Sequence, residues 1–511
     1  RKATESMEHG GGERFDSESE AYKTLRLWIE QQAPRVQRRQ LVRLELTPTS
    51  VLTEQLGTSI PVEATATFSD GTREDVTAVT VLSSDDEETI SVDLEQDSVI
   101  PHRRGEHFVT ARYLNQVRPI RVTIPYNDPD AHGGEPSASD GTDGGLIDFE
   151  VLRKLRELRI PMSPLASDGE FARRIWLDLT GRLPSAEELN QYVSDDDQGK
   201  KSKLVDRLLE SDEFAAYWAF KWAGVLSIDS RSLQKEGAKA YHDWVESCFR
   251  EDRPWDETSR AMLTATGDSY VEGSANFLRS ANGPDGVAEA ATRVFMGVRL
   301  RCANCHDHPL DHWNQDDYHG LAAIFARVNR GRVIGDSKRG EVTHPLTGQP
   351  AIAKIPGGHF LDEGENGRFA FADWLTDADN PYFARAAVNR VWAQLMGRGL
   401  IHPVDDLRAT NPPSHPELLG KLQAEFETNQ YRFKPIIRMI CLSDAYARDS
   451  STREGNDADT TYYSHFIQRP LEAEVVANAI ADVTSVRIEY RDEDENAFTD
   501  AIRLTDNRIA S

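Results

Sequence analysis

The sequence predicts a multidomain protein, an antiparallel β-sandwich followed by a mainly α-helical region. Three observations carry this. The chain has 511 residues, too many for a single hydrophobic core. Up to residue 126 apolar residues alternate with period two, as in Val62-Glu63-Ala64-Thr65-Ala66-Thr67-Phe68. After the Gly- and Asp-rich stretch NDPDAHGGEPSASDGTDGG at 127–145, the apolar period lengthens to that of a helix.

Taken in order, residues 1–38 hold a glycine turn at Gly10, Gly11 and Gly12, then Tyr22, Leu25, Trp28 and Ile29 at helical spacing, ending near Pro34. A lone helix of this size cannot bury its apolar face, so the segment is expected to be the tail of an upstream module. Residues 39–126 read as strands. Leu41 to Leu46 alternates, Ser69-Asp70-Gly71-Thr72 marks a turn, and Phe108 to Tyr113 and Ile120 to Ile124 continue the pattern. Residues 127–145 read as a flexible linker. Residues 146–330 turn helical, with a capped start at Ser167-Asp168 before Glu170 and a second helix through Leu204, Leu208 and Leu209. Phe214, Trp218 and Trp222 form an aromatic stripe best read as core. A helix from Val287 to Phe295 leads into the first cysteine pair. Residues 331–362, punctuated by Pro345, Pro350 and Pro356, read as a connecting loop. Residues 363–511 are helical again through Trp374, Val388, Trp392 and Leu395, then Leu418 to Phe426 and Ile436 to Ala445. The acidic stretch 486–499 reads as a solvated loop or helix face, and this last region is expected to be truncated.

The balance of 59 basic and 85 acidic residues gives a formal net charge of −26, which opposes non-specific nucleic-acid binding and docking on anionic lipid. No apolar run reaches the roughly 20 residues of a membrane helix. The chain opens at Arg1 without a signal-peptide pattern, and we expect a fragment or processed product whose export signal lies upstream. There are only four cysteines, Cys248, Cys302, Cys305 and Cys441, too few for a disulfide framework at this length.

Two of them fall in Cys302-Ala303-Asn304-Cys305-His306, a C-x-x-C-H pattern. The spacing suits covalent haem c: two thiols add to the two vinyl groups of one porphyrin, and the next residue places an imidazole on the iron, making His306 the proximal ligand. Met296, His312, His319 and His359 are candidates for the distal ligand, while His308 sits too close in sequence to reach the opposite face. Asp307 and Asp311 would orient an imidazole through its other nitrogen. Zinc is the alternative cofactor, with His308, His312 and His319 completing a site around the two thiolates, and a reducible disulfide or an inert motif is the third reading. A second polar constellation comprises Asn389, Arg390, His402, Asp405, Asp406, Arg408, Asn411 and His415; paired carboxylates with histidines bind metal or do acid–base work, and the plain reading is a hydrogen-bonded structural loop.

Longer stretches carry a family resemblance. FARRIWLDLTGRLPSAEEL, VDRLLESDEFAAYWAFKWA and RVFMGVRLRCANCHDHPLDHWNQDDYHGLAAIFARV resemble the planctomycete cytochrome-like domain of unknown function, and NPYFARAAVNRVWAQLMGRGLIHPVDDLRATNPPSHPELLGKLQAEF resembles the second such domain that follows it. Residues 39–126, with the hairpin ATFSDGTREDVT, resemble a bacterial immunoglobulin-like group 2 domain, and the opening HGGGERFDSESEAYKTLRLWIEQQAP resembles the end of a cytochrome c module, with Met7 or His9 as its former axial ligand. The resemblance implies an exported bacterial protein, periplasmic or at the cell surface, of cytochrome character, with electron transfer to a redox partner protein and no established catalysis. The competing functions are a metal-binding or hydrolytic surface protein in which the C-x-x-C-H region binds zinc or is structural, and a structural surface protein using the immunoglobulin-like domain.

Overall fold

Alternating side chains need a sheet to bury one face, and residues 41–124 supply ten short strands for it. The structure is a computed structural model that describes residues 19–33, 39–127, 144–486, 489–491, 497–498 and 500–503. The chain divides into two compact units, 1–125 and 126–511. The glycine turn, Met7, His9, Pro34 and most of the expected linker lie outside the described residues.

The first unit begins with helix α1 (Glu20–Glu30), capped by the Ser19 hydroxyl, which accepts from the Tyr22 amide. The strands follow: β1 (Leu41–Thr47), β2 (Ser50–Leu52), β3 (Ile60–Pro61), β4 (Glu63–Phe68), β5 (Arg73–Asp75), β6 (Val81–Ser84), β7 (Ile90–Asp93), β8 (Ser98–Pro101), β9 (Gly105–Tyr113) and β10 (Gln116–Ile124). They form three sheets, ordered β1-β4-β5, β2-β10-β9-β6 and β3-β8-β7. Every pairing is antiparallel except β2 with β10, which is parallel. Register sets the core: Leu44 faces Ala66 and Leu46 faces Ala64, all four buried. Val109, Ala111, Ile120, Val122 and Ile124 join the same apolar cluster.

The second unit is mostly helical: α2 (Gly145–Leu158), α3 (Asp168–Thr180), α4 (Ala186–Ser194), α5 (Lys200–Leu209), α6 (Asp212–Val225), α7 (Ser230–Arg250), α8 (Trp255–Thr264), α9 (Gly283–Ala291), α10 (Gln315–Ala326), α11 (Gly367–Leu375), α12 (Phe383–Met396), α13 (Pro416–Thr428), α14 (Phe433–Leu442), α15 (Asp444–Ala447) and α16 (Ala473–Thr484). The starts follow sequence signals. Ser167 and Glu170 form a reciprocal capping box at α3, as do Ser185 and Glu188 at α4. The Phe214, Trp218 and Trp222 stripe is buried. Trp222 lies 4.7 Å from Trp255 and 5.4 Å from Phe433, ring centre to ring centre, so rings from both helical halves share one core. That core runs without a break from Ile147 to Ile502. No described helix is long and apolar enough to cross a membrane.

Two expectations need correction. The segment 331–362 is not loop throughout: β11 (Gly267–Asp268), β12 (Val328–Arg330) and β13 (Val333–Asp336) form a small antiparallel sheet, with Arg330 opposite Ile334. Strands of two to four residues with two buried apolar side chains between them, Val328 and Ile334, are too short to show a period. In the acidic stretch 486–499, the described residues include a short strand pair, β14 (Tyr490–Arg491) with β15 (Ala497–Phe498).

Candidate functional site

The C-x-x-C-H segment hangs from a helix that stops abruptly. α9 widens into a π turn at Thr292–Met296 and ends at Gly297, whose φ is +66° and whose amide closes the turn on the Thr292 carbonyl. Glycine is required there for two reasons. The left-handed backbone disfavours a side chain, and a Cβ would stand 2.7 Å from Leu407 Cδ1 and 3.3 Å from the Val404 carbonyl. A 3-10 turn follows at Leu300–Asn304. Leu300 and Ala303 are its buried anchors. Residues three apart share a face of such a turn, so with Ala303 inward, Cys302 and Cys305 both face out. Both thiols are free.

The hydrogen bonds set the imidazole tautomers. His306 Nδ1 lies 2.8 Å from the Asp307 carbonyl oxygen, which can only accept; Nδ1 therefore carries the proton, and Nε2 keeps its lone pair on an exposed side chain. It is the backbone of Asp307, not its carboxylate, that orients this ring. The Asp311 carboxylate holds the next ring: Oδ1 accepts from His312 Nδ1 at 2.7 Å and from the His312 amide at 2.8 Å, and Oδ2 accepts from Trp313 Nε1 at 3.0 Å. His312 is half exposed, its Nε2 likewise left with a lone pair. His308 folds inward and accepts the Leu310 amide at Nδ1; burial holds its pKa below the ordinary value, with Asp311 opposing.

The other distal candidates are placed differently. Met296 is fully buried within the core. His319, on α10, donates Nε2 to the Asn304 carbonyl at 3.0 Å, and Gln315 reaches the same oxygen at 3.3 Å, so these two side chains brace the motif from inside. His319 Nδ1 is buried without a hydrogen-bond partner, and the ring meets His344 edge-on at 5.2 Å. His359 is exposed on the 354–360 loop. That loop is tied to α10 through Lys354, which pairs with the buried Asp317 at 2.5 Å, and through the Gly357 amide, 2.9 Å from the same carboxylate.

The second polar constellation comes apart. Asn389 is fully buried and closes a two-way hydrogen bond with the Ile401 backbone, 2.8 Å and 2.9 Å, a structural clamp. His415 is buried at the head of α13 and paired with the Ser414 hydroxyl, and burial pushes its pKa down to about 3. His402 is exposed. The Asn411 amide braces the loop by donating to the Asp406 carbonyl at 2.9 Å. The rest of this loop packs on the cysteine segment. Asp405 pairs with Arg299 at 2.5 Å, and the Leu407 amide donates to the Gly297 carbonyl at 2.8 Å. The Thr410 hydroxyl reaches the Leu310 carbonyl at 3.2 Å. Arg390 donates to the Arg293 carbonyl, and burial pushes its pKa down to about 10. Asp406, paired with Arg408 at 3.2 Å, adds to the charges around His308. Arg299, Gln315 and Asn304 belong to this site without having been visible as such, since their roles depend on partners 11 to 106 residues away in sequence.

The donor set fits a covalent haem: two free outward thiols and an adjacent imidazole with Nε2 open. Among the described residues no group of three or more His, Cys, Asp or Glu is arranged to hold a metal ion. Residues 146–330 match the family model PSCyt2, a protein of unknown function (DUF1549), and residues 367–495 match PSD1, a protein of unknown function (DUF1553). The cysteine motif falls in the first match, and the 402–415 loop that packs against it in the second. A comparison with the curated proteins gave no match.

Proposed function

From two adjacent domains whose families have no assigned function, we propose that this chain is an exported c-type cytochrome-like protein that carries electrons through a haem attached at Cys302, Cys305 and His306. The observation that carries the reading is the tautomer of His306: with Nδ1 tied to the Asp307 carbonyl, Nε2 is the nitrogen left for iron, beside two free exposed thiols. A haem held there would accept and release one electron at a time. His319 and Gln315 would fix the turn that carries the thiols, and the Asp405–Arg299 pair would fix its approach to the 402–415 loop. Of the further candidates, His312 would have an open Nε2 to offer the iron, with Nδ1 held by Asp311, whereas His319 commits its Nε2 to Asn304. The immunoglobulin-like reading of the first unit, as a spacer at the cell surface, and an extracytoplasmic location belong to the same proposal; the formal charge of −26 favours a basic redox partner.

The test is intact mass and pyridine haemochrome absorbance on protein matured in a host with a cytochrome c assembly system. One haem per chain, resistant to acid extraction, is expected. Protein carrying zinc or no cofactor after such maturation overturns the reading.

A further inference from the structure

A second site lies away from the cysteines, where α3 meets the segment 449–471. It is a cavity of about 370 Å³, in the size range that holds one small molecule. Its main feature is Arg174. The guanidinium carbon lies over the Phe466 ring, 3.7 Å from its centre, and one Nη donates to the Tyr446 carbonyl. The ring contact and this hydrogen bond hold the guanidinium in place. Among the described residues no carboxylate lies within ion-pair distance of it, although burial lowers its pKa from the ordinary value. Asp178, Asp449 and Glu170 act on it only from beyond that distance, so the fork itself carries no paired carboxylate.

The acids that line the cavity are engaged elsewhere. Asp178 is held by Arg469 and by the Tyr446 hydroxyl at 2.7 Å. Glu170 accepts from the Ser167 hydroxyl at 2.7 Å and amide at 2.9 Å, as part of the α3 cap. Asp449 accepts from the Ser451 amide at 2.7 Å. Glu170 and Asp449 keep spare lone pairs at the rim, and both act on Arg174 electrostatically. Those oxygens can accept from hydroxyl donors. Arg173, exposed on the same wall, adds a second guanidinium.

We propose that this cavity binds a small hydroxy-carboxylate of about monosaccharide size, its carboxylate on the fork of Arg174 with Arg173 beside it, its hydroxyls on Glu170 and Asp449. The planar carboxylate matches the guanidinium plane, and the hydroxyls match the rim. The proposal is independent of the haem and concerns a binding site, with no reaction assigned.

The test is calorimetric titration of the full chain with sodium D-glucuronate, against D-glucose as the uncharged analogue at matched ionic strength. Saturable glucuronate binding is expected, with a preference over glucose of about tenfold or more, the scale of one charge-assisted contact. Arg174→Gln should weaken glucuronate about tenfold, and Arg174→Lys should recover only part of that, since it restores the charge without the fork. Arg173→Gln, on an exposed side chain, should weaken binding about threefold. Absence of saturable glucuronate binding, equal affinity for glucose, or wild-type affinity in a folded Arg174→Gln protein each overturns the proposal. If Arg174→Gln does not fold, wild-type affinity in Arg173→Gln overturns it instead.

Discussion

At the cysteine-bearing turn the reactive groups face out. Cys302 and Cys305 are exposed and free, and His306 has one nitrogen tied to backbone and the other open. Around Asp178 the arrangement is reversed. The carboxylate is buried; burial pushes its pKa up, and the Arg469 guanidinium and Tyr446 hydroxyl pull it back. Lys221 and Glu472 pair next to it, with the Tyr217 hydroxyl on the same Glu472. The turn at Cys302 keeps chemistry available at small cost to the fold. The Asp178 network is part of what holds the two helical halves together, since Asp178 lies on α3 and Tyr446 and Arg469 come from the second half.

That contrast is sharpest in a stability measurement. Asp178→Ala removes a carboxylate and leaves Arg469 charged and Tyr446 without its acceptor in the interior. A loss of about 3–5 kcal/mol is expected, the range for breaking a buried pair from one side. The urea midpoint at constant m reads it, and a loss below about 1 kcal/mol would show that water or rearrangement satisfies Arg469.

A pH titration separates the buried region in another way. His415 is held neutral in the folded chain, with a pKa of about 3 against the ordinary 6.5. Between those values the unfolded state binds a proton that the folded state does not, so stability is complete above pH 6.5 and falls as pH drops toward 3. The slope is on the order of 1 kcal/mol per pH unit. His415→Gln should flatten the difference between stability at pH 6.5 and pH 4.5 by roughly 2 kcal/mol relative to wild type. Equal acid sensitivity in the two proteins would mean that His415 gains a proton without unfolding.

Gly297 opens the segment that carries the cysteines and packs on Leu407. Gly297→Ala should cost about 1–3 kcal/mol, from the positive φ and from a Cβ only 2.7 Å from Leu407 Cδ1. Thermal unfolding reads this, and haem incorporation should fall with it if the loop contact positions the thiols. Normal stability would show that Leu407 yields freely.

The same contrast explains what could be read in the sequence. The period change, the capping box at Ser167 and Glu170, and the core role of Phe214, Trp218 and Trp222 are local, set by residues a few positions apart. The C-x-x-C-H motif is local too. The packing of Asp405 and Leu407 on Arg299 and Gly297, the contact of Arg174 with Phe466, and the pairing of β11 with β13 join residues 65 to about 290 positions apart. No pattern within either partner marks them. For Asn389 and His415 residue type misled in the opposite direction: polar side chains that suggest chemistry are here buried and clamped to backbone or to Ser414.

The smallest stability effect is expected where the chemical effect is complete. Replacing Cys302 and Cys305 together with Ala removes two exposed thiols that no hydrogen bond or disulfide engages. The turn itself is held by Leu300 and Ala303 below and by His319 and Gln315 on the Asn304 carbonyl, none of which the substitutions touch. Unfolding of the cofactor-free protein should therefore shift by no more than about 0.5 kcal/mol, as for other exposed positions. In protein from a haem-maturing host the same change should abolish covalent haem altogether. On the proposed haem reading, His306→Ala would leave haem attached through the two cysteines but alter its spin state and potential, because a nitrogen that would hold the iron is lost while both thiols remain. If the double alanine protein instead loses several kcal/mol without haem, the thiols hold the turn together in a way their exposure does not show, and a structural part for the motif would replace the open, reactive one.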